Sequence, residues 1–233
     1  MPRLVSLALA AAALVALLPL AARPALAQEP PTPLDAEACG DLSAGECRVS
    51  ALRLQFGLGA PSDLRRALLQ FEAACTAGDT FACTEAGVAY AMGLGGGVDE
   101  ERARAFYRFG CRAALPKTCR AHGLTYLDPK SPVQNLFKAS AILTQACWAG
   151  SGGACMTVAL LNASGDLGKD SMTGRIDSLR YYREGCVLGI ARACTEGAAL
   201  IKADPRLSLF AHTEAFMTSF ACSALSVEEA CAE

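Results

Sequence analysis

Twelve cysteines are the most reactive groups in this 233-residue chain. They stand at Cys39, Cys47, Cys75, Cys83, Cys111, Cys119, Cys147, Cys155, Cys186, Cys194, Cys222 and Cys231, five pairs eight residues apart and a last pair nine apart. Thiols at this density can ligate a metal, exchange electrons or form structural disulfides. A redox centre usually shows Cys-x-x-Cys with a lowered thiol pKa, and the sequence contains no such pair. A metal site needs several imidazole, thiolate or carboxylate ligands together. The two histidines, His122 and His212, lie two repeats apart, and each is expected to face solvent. No metal or other cofactor is implied, and six structural disulfides are the remaining reading.

The spacing constrains how they form. In one continuous helix, residues eight apart are separated by about 12 Å at 1.5 Å per residue. A disulfide needs α-carbons about 4.4–6.8 Å apart. The chain must therefore reverse between the two members of each pair. In "EAACTAGDTFACTEAG" (72–87), Thr76-Ala77-Gly78-Asp79 supplies the means. Gly78 suits a left-handed helix cap, and Asp79 or Thr80 suits the N-cap of the next helix. Cys75 then ends one helix and Cys83 opens the next. The uniform spacing favours local pairing throughout: 39–47, 75–83, 111–119, 147–155, 186–194 and 222–231. For the last pair, Ser226-Val227-Glu228-Glu229 reads as a capping box just before Cys231.

The elements that position these cysteines repeat with them. From Cys75 to Cys111, Cys111 to Cys147 and Cys186 to Cys222 is 36 residues each time, and Cys147 to Cys186 is 39. A fixed period of this size marks stacked supersecondary units. The residue before each first cysteine is small (Ala38, Ala74, Gly110, Ala146, Gly185, Ala221), as is the residue four after the second (Ala51, Gly87, Gly123, Ala159, Ala198). Cys83, Ala86, Gly87 and Tyr90 fall at i, i+3, i+4 and i+7, the stripe of an amphipathic helix. After the break "GLGGGVD" (93–99), Ala103, Phe106, Tyr107, Gly110 and Cys111 form a second stripe. Elsewhere, Ser131-Pro132 and Asp204-Pro205 are expected to open the second helix of a unit, a capping residue followed by proline. The fold class is therefore all-α, about five stacked helix-turn-helix units stapled by disulfides.

The first 27 residues read differently. Arg3 precedes an apolar run from Leu4 to about Ala22, and Ala25-Leu26-Ala27 follows, the layout of a cleavable signal peptide. A retained membrane anchor is the alternative, since the run approaches spanning length. No cysteine follows the run until Cys39, so lipid attachment at the cleavage point is not expected. Residues 28–38 form a proline-rich lead-in expected to be mobile, and 39–233 form the repeat array. An exported chain meets an oxidising compartment, periplasmic or extracellular, where disulfides persist. A mitochondrial intermembrane-space address is a further possibility, although a presequence for it should be amphipathic and arginine-rich. Charge is nearly balanced, with 21 Lys+Arg against 23 Asp+Glu. The basic excess of a nucleic-acid surface is absent.

The stripe residues carry a resemblance. The tetratricopeptide pattern W-x2-L-G-x2-Y is echoed at Cys83 to Tyr90 and again at Cys119 to Tyr126, with cysteine in the tryptophan position. With the Gly93–Val98 loop and Ala103, the chain resembles the Sel1-like repeat proteins, and in its paired cysteines their exported cysteine-rich subgroup in Helicobacter. The resemblance spans 39–233. It weakens in the fourth unit, at Asn162 and a three-residue insertion, and in the fifth, where "KADPRLSLFAHTEA" has lost the loop glycines. It implies a right-handed α-solenoid whose concave face binds proteins or peptides. By the same resemblance the first helices of the units line that face, which makes Arg48, Arg53, Arg120 and His122 candidate contacts for an acidic or carboxylate-bearing partner.

Some cysteine-rich relatives carry a penicillin-binding or β-lactamase name, so the alternative function is β-lactam binding or weak hydrolysis. The chemistry for it is missing here. A serine β-lactamase needs Ser-x-x-Lys, and no serine beyond residue 27 has lysine three residues later; Lys-Thr-Gly and Ser-Asp-Asn are also absent. "GLGGG" lacks the lysine of a phosphate loop and follows a helix, so it is an inter-helix turn. Asn162-Ala163-Ser164 matches a glycosylation sequon but falls within a helix. Trp148, the single tryptophan, is either an exposed binding anchor or packed against the insertion near 166–172. Catalysis is not expected, and a protein or peptide partner is.

Overall fold

A computed structural model describes residues 30–113, 115–168 and 171–225. The expected signal peptide and the capping box at 226–229 lie outside the described residues. Helices occur in sequential pairs: α1 (Ala44–Phe56) with α2 (Leu64–Thr76), α3 (Thr80–Met92) with α4 (Glu100–Cys111), α5 (Pro116–Leu124) with α6 (Leu136–Trp148), α7 (Gly152–Ala163) with α8 (Ser171–Val187), and α9 (Ala191–Ala203) with α10 (Ala211–Leu225). Each helix packs chiefly on its neighbours in the chain. The result is an all-α stack of five helix pairs.

The repeat is visible in the caps. The first helix of each unit is preceded by Ser43, Asp79, Leu115, Ser151 or Ile190, in steps of 36 residues and then 39. Among second helices, Asp63, Asp99 and Asn135 stand 36 apart, and each accepts a hydrogen bond at 2.9 Å from the backbone N–H three residues on. These side chains satisfy donors that a helix start otherwise leaves without partners. Two expected boundaries need correction. Ser131-Pro132 does not open α6. Ser131 lies in a turn, its N–H bonded to the Asp128 carbonyl, and Asn135 is the cap. Asp204-Pro205 opens a 3-10 helix, Pro205–Phe210, ahead of α10. Asp204 holds this altered unit together: its carboxylate accepts from the Arg206 backbone N–H and pairs with the guanidinium groups of Arg175 and Arg206. These pairs hold its carboxyl well below the ordinary range despite its burial.

The reversals between cysteines form as the spacing requires. Gly78 takes φ 102°, the left-handed region open to glycine, and Asp79 caps α3 by accepting from the Ala82 N–H at 3.0 Å. Five disulfides follow: Cys39–Cys47, Cys75–Cys83, Cys111–Cys119, Cys147–Cys155 and Cys186–Cys194, with α-carbons 4.4–5.3 Å apart. Four of them join the second helix of one unit to the first helix of the next, and Cys39–Cys47 ties the lead-in to α1. The expected sixth bond, Cys222–Cys231, lies outside the described residues because Cys231 does. Disulfides form and persist in an oxidising environment, and five of them point to an extracytoplasmic one.

The core is strung along the stack. One cluster, centred on Leu68, Phe71, Tyr90 and Phe106, fills the first two units. A second contains Leu143, Val158 and Tyr126, and a third Tyr182, Cys194 and Met217. Repeats that touch only neighbours bury modest cores, so covalent ties between units add where packing is thin. The matched small residues allow close helix approach. A β-carbon on Gly87 would stand 2.4 Å from Tyr107 Cε1, and one on Gly123 would stand 2.6 Å from Leu143 Cγ.

A buried acid joins the lead-in to this core. Glu72 is fully buried. It accepts from the Tyr90 hydroxyl, from the Arg102 guanidinium at 2.8 Å and from the Leu34 N–H at 2.7 Å. Arg102 also donates to the Thr32 carbonyl at 3.0 Å. A buried carboxylate is tolerated only when paired and hydrogen-bonded, and this one has both. Gln70 Nε2 donates to the Ala38 carbonyl at 3.1 Å, so the lead-in, expected to be mobile, carries three anchoring hydrogen bonds.

Candidate functional site

Three first-helix starts are brought side by side by the disulfide-tied turns. Phe81, Thr84 and Glu85 come from the first turns of α3, Leu115 to Thr118 from the start of α5, and Gly150 to Gly152 from the turn into α7. Together they line a largely apolar groove of about 630 Å³ that crosses three consecutive units. The Thr84 and Thr118 hydroxyls are hydrogen-bonded across its floor. Phe81 is 60% exposed at its edge. The Arg48 guanidinium lies over the Phe81 ring, 5.7 Å from its centroid, and is itself fixed by the Asp79 carboxylate at 2.8 Å. Asp79 therefore caps α3 and also orients the arginine that braces Phe81.

The four expected contact residues do not line one pocket. Arg48 and Arg53 border a shallow depression on α1 with Leu42 and Val49. Arg120 is exposed on α5 and leans on α7, where a β-carbon on Gly153 would come within 2.8 Å of its Nε. His122 corrects the expectation of a solvent-facing ring: it is buried, 6% exposed. The reason is helix phase, because His122 neighbours Gly123 on the buried stripe and sits edge-on to Tyr126 at 5.5 Å. Burial pushes its imidazole pKa down to about 4, and Lys138, Arg108 and Arg104 push the same way. His212 is exposed.

Of the two placements expected for Trp148, the exposed one holds: the side chain is 48% exposed. Its covered side packs on α8, with the Arg180 guanidinium 4.6 Å above its ring and the Tyr181 ring 5.9 Å away. Trp148 lies ahead of α7, beside the Cys147–Cys155 bond. Asn162 of the sequon is buried, with its amide donating to the Val158 carbonyl at 2.9 Å. Among the described residues no helix is long and apolar enough to cross a membrane.

Two features escaped the sequence reading. Phe81 falls outside the i, i+3, i+4 stripe of Cys83, Ala86, Gly87 and Tyr90, and an off-phase aromatic is the signal that marks it. Glu72 is the one charge between Ala67 and Cys75, a stretch otherwise apolar but for Gln70, and a lone charge inside such a stretch signals a buried pair.

No family profile and no curated protein matches the sequence. Solved structures match the fold. A protective antigen present in uropathogenic Escherichia coli strains, which displays a Sel1-like repeat fold, superposes with a TM-score of 0.65 at 15% identity. That match covers 78% of this chain and 38% of the antigen. A Sel1 repeat protein from Oxalobacter formigenes superposes with a TM-score of 0.63 at 18% identity, over 77% of this chain and 70% of that one.

Proposed function

We propose that this chain, an α-solenoid of the Sel1-like repeat fold stapled by disulfides, is an exported scaffold that binds a protein or peptide partner. The groove across α3, α5 and α7 carries the reading. It is elongated over three units, apolar at Phe81, Leu115 and Pro116, and bordered by one acid and one base, Glu85 and Lys117. An exposed aromatic in such a groove is the kind of anchor that dominates interface energetics. A short extended segment with an apolar side chain for the Phe81 edge suits it better than a rigid globular face.

The five disulfides and the signal-like N-terminus support export to the periplasm or beyond. No observation in the structure favours the β-lactam alternative. Peptides selected from a random displayed library on the oxidised protein provide the test. Enriched peptides should bind the wild-type protein and lose at least tenfold in affinity on Phe81→Glu. Peptides that bind Phe81→Glu unchanged, or a library that yields none, would overturn the assignment of the groove.

A further inference from the structure

A second cavity, separate from the groove, lies between α4, α6 and the loop joining α5 to α6. It measures about 380 Å³ and is lined by Arg104 and Arg108, Lys138, Glu101, Tyr126, and Gln134 with its neighbours Val133 and Asn135. Arg104 and Arg108 stand four residues apart, one above the other on the same face of α4. Lys138 reaches in from the first turn of α6, its ammonium 4.4 Å from the Tyr126 ring centroid.

Two observations bear on what this cluster could hold. First, Arg104 Nε is buried and has no hydrogen-bond partner. A buried donor without an acceptor costs about 1–3 kcal/mol. Second, three cations converge on one cavity, and among the described residues no carboxylate lies within ion-pair distance of Arg104, Arg108 or Lys138. Counting Glu101, the cavity carries three positive charges and one negative, a surplus of two.

We propose that this cavity binds a dianionic phosphate group, free or as a small phosphomonoester. Phosphate matches the surplus charge, being close to dianionic at neutral pH. Two guanidinium groups supply planar, paired donors and the lysine a point charge, the combination suited to phosphate oxygens. The volume exceeds that of phosphate alone and falls within the range of small-molecule sites. Tyr126 and Val133 form the apolar wall against which an organic ester would rest. His122 lies behind Tyr126, with Arg104 and Arg108 of α4 and Lys138 of α6 as the charged groups acting on it. It therefore reports on occupancy: neutralising those cations raises its proton affinity.

The test is calorimetry of the oxidised protein at low salt with inorganic phosphate, phenyl phosphate and succinate, alongside an NMR titration of His122. Saturable phosphate binding with a Kd below about 1 mM is expected, together with a rise in the His122 pKa toward its ordinary value. Arg104→Gln and Lys138→Gln should each weaken binding at least tenfold. Arg104→Lys, which keeps the charge but loses the Nε donor, should weaken it less, and Arg120→Gln should leave it unchanged. Tighter binding of phenyl phosphate than of inorganic phosphate identifies an ester as the ligand, and equal binding identifies the free ion. The proposal is overturned by absence of saturable binding, by equal losses in Arg120→Gln and Arg104→Gln, or by succinate binding as tightly as phosphate. Should Arg104→Gln fail to fold, the exposed Lys138 carries the same test.

Discussion

Removing one inter-unit disulfide tests how this stack is held together. The Cys111→Ala/Cys119→Ala double variant opens a loop of nine residues whose closure is worth about 2.6 kcal/mol in the chain-entropy treatment. Cys111 is 7% exposed and Cys119 is fully buried, so two buried sulfurs are lost as well. Counting each as a methylene adds about 0.8 kcal/mol, and the whole loss comes to about 4 kcal/mol. At the sensitivity of a domain this size, Tm should fall by roughly 8–16 °C. The bonds Cys75–Cys83 and Cys147–Cys155 have the same separation of eight residues and equally buried sulfurs. Because the entropy term depends only on loop length, their double variants should lose the same amount within about 1 kcal/mol. Urea unfolding of the three variants, each checked for absence of new intermolecular bonds, measures this directly. A loss below about 1 kcal/mol in any of them, or a spread of several-fold, would show that native packing and not loop closure sets the contribution.

Three further outcomes are expected. Glu72→Gln removes the charge that Arg102 pairs with, and should cost about 1.5–3 kcal/mol; the Leu34 amide should lose hydrogen-exchange protection, and unchanged protection would refute the anchoring of the lead-in. His122 has a folded pKa of about 4, below its ordinary value of about 6.5, so the unfolded chain binds a proton that the folded chain refuses between those values. Stability should therefore be fully present above pH 6.5 and fall by up to about 3 kcal/mol as pH drops to 4; His122→Gln should flatten that part of the profile, and an equal slope in both proteins would refute the assignment. Gly87→Ala forces the Tyr107 ring to move and should destabilise by about 1–2 kcal/mol, whereas Gly97→Ala, with nothing within 4 Å of the added carbon, should stay within about 0.5 kcal/mol; similar melting curves for both would show that the α3–α4 contact gives way freely.

The sequence by itself determined the repeat, and for a physical reason. Cysteines eight apart cannot bond along one helix, so the spacing forces a reversal, and Thr76-Ala77-Gly78-Asp79 holds the residues that make one. The 36-residue step fixed the number of units, and small residues at matched positions marked where helices touch. These are local or periodic constraints, legible in one dimension. The start of α6 was misread because Ser131 and Asn135 are both good caps, and only the turn from Asp128 to Ser131 selects between them. Side-chain destinations depended on neighbours far along the chain. His122 is polar and looks solvent-facing, yet its place on the buried stripe puts it against Tyr126. Trp148 lies near the insertion in sequence but packs on Arg180 and Tyr181, because the stack sets α8 beside it. Glu72 meets Leu34, Tyr90 and Arg102, and Arg104, Arg108 and Lys138 meet around one cavity, across separations that no spacing rule encodes. Tertiary structure decided those meetings, since each depends on how successive helix pairs rotate as they stack, and that rotation is set by packing summed over the whole array.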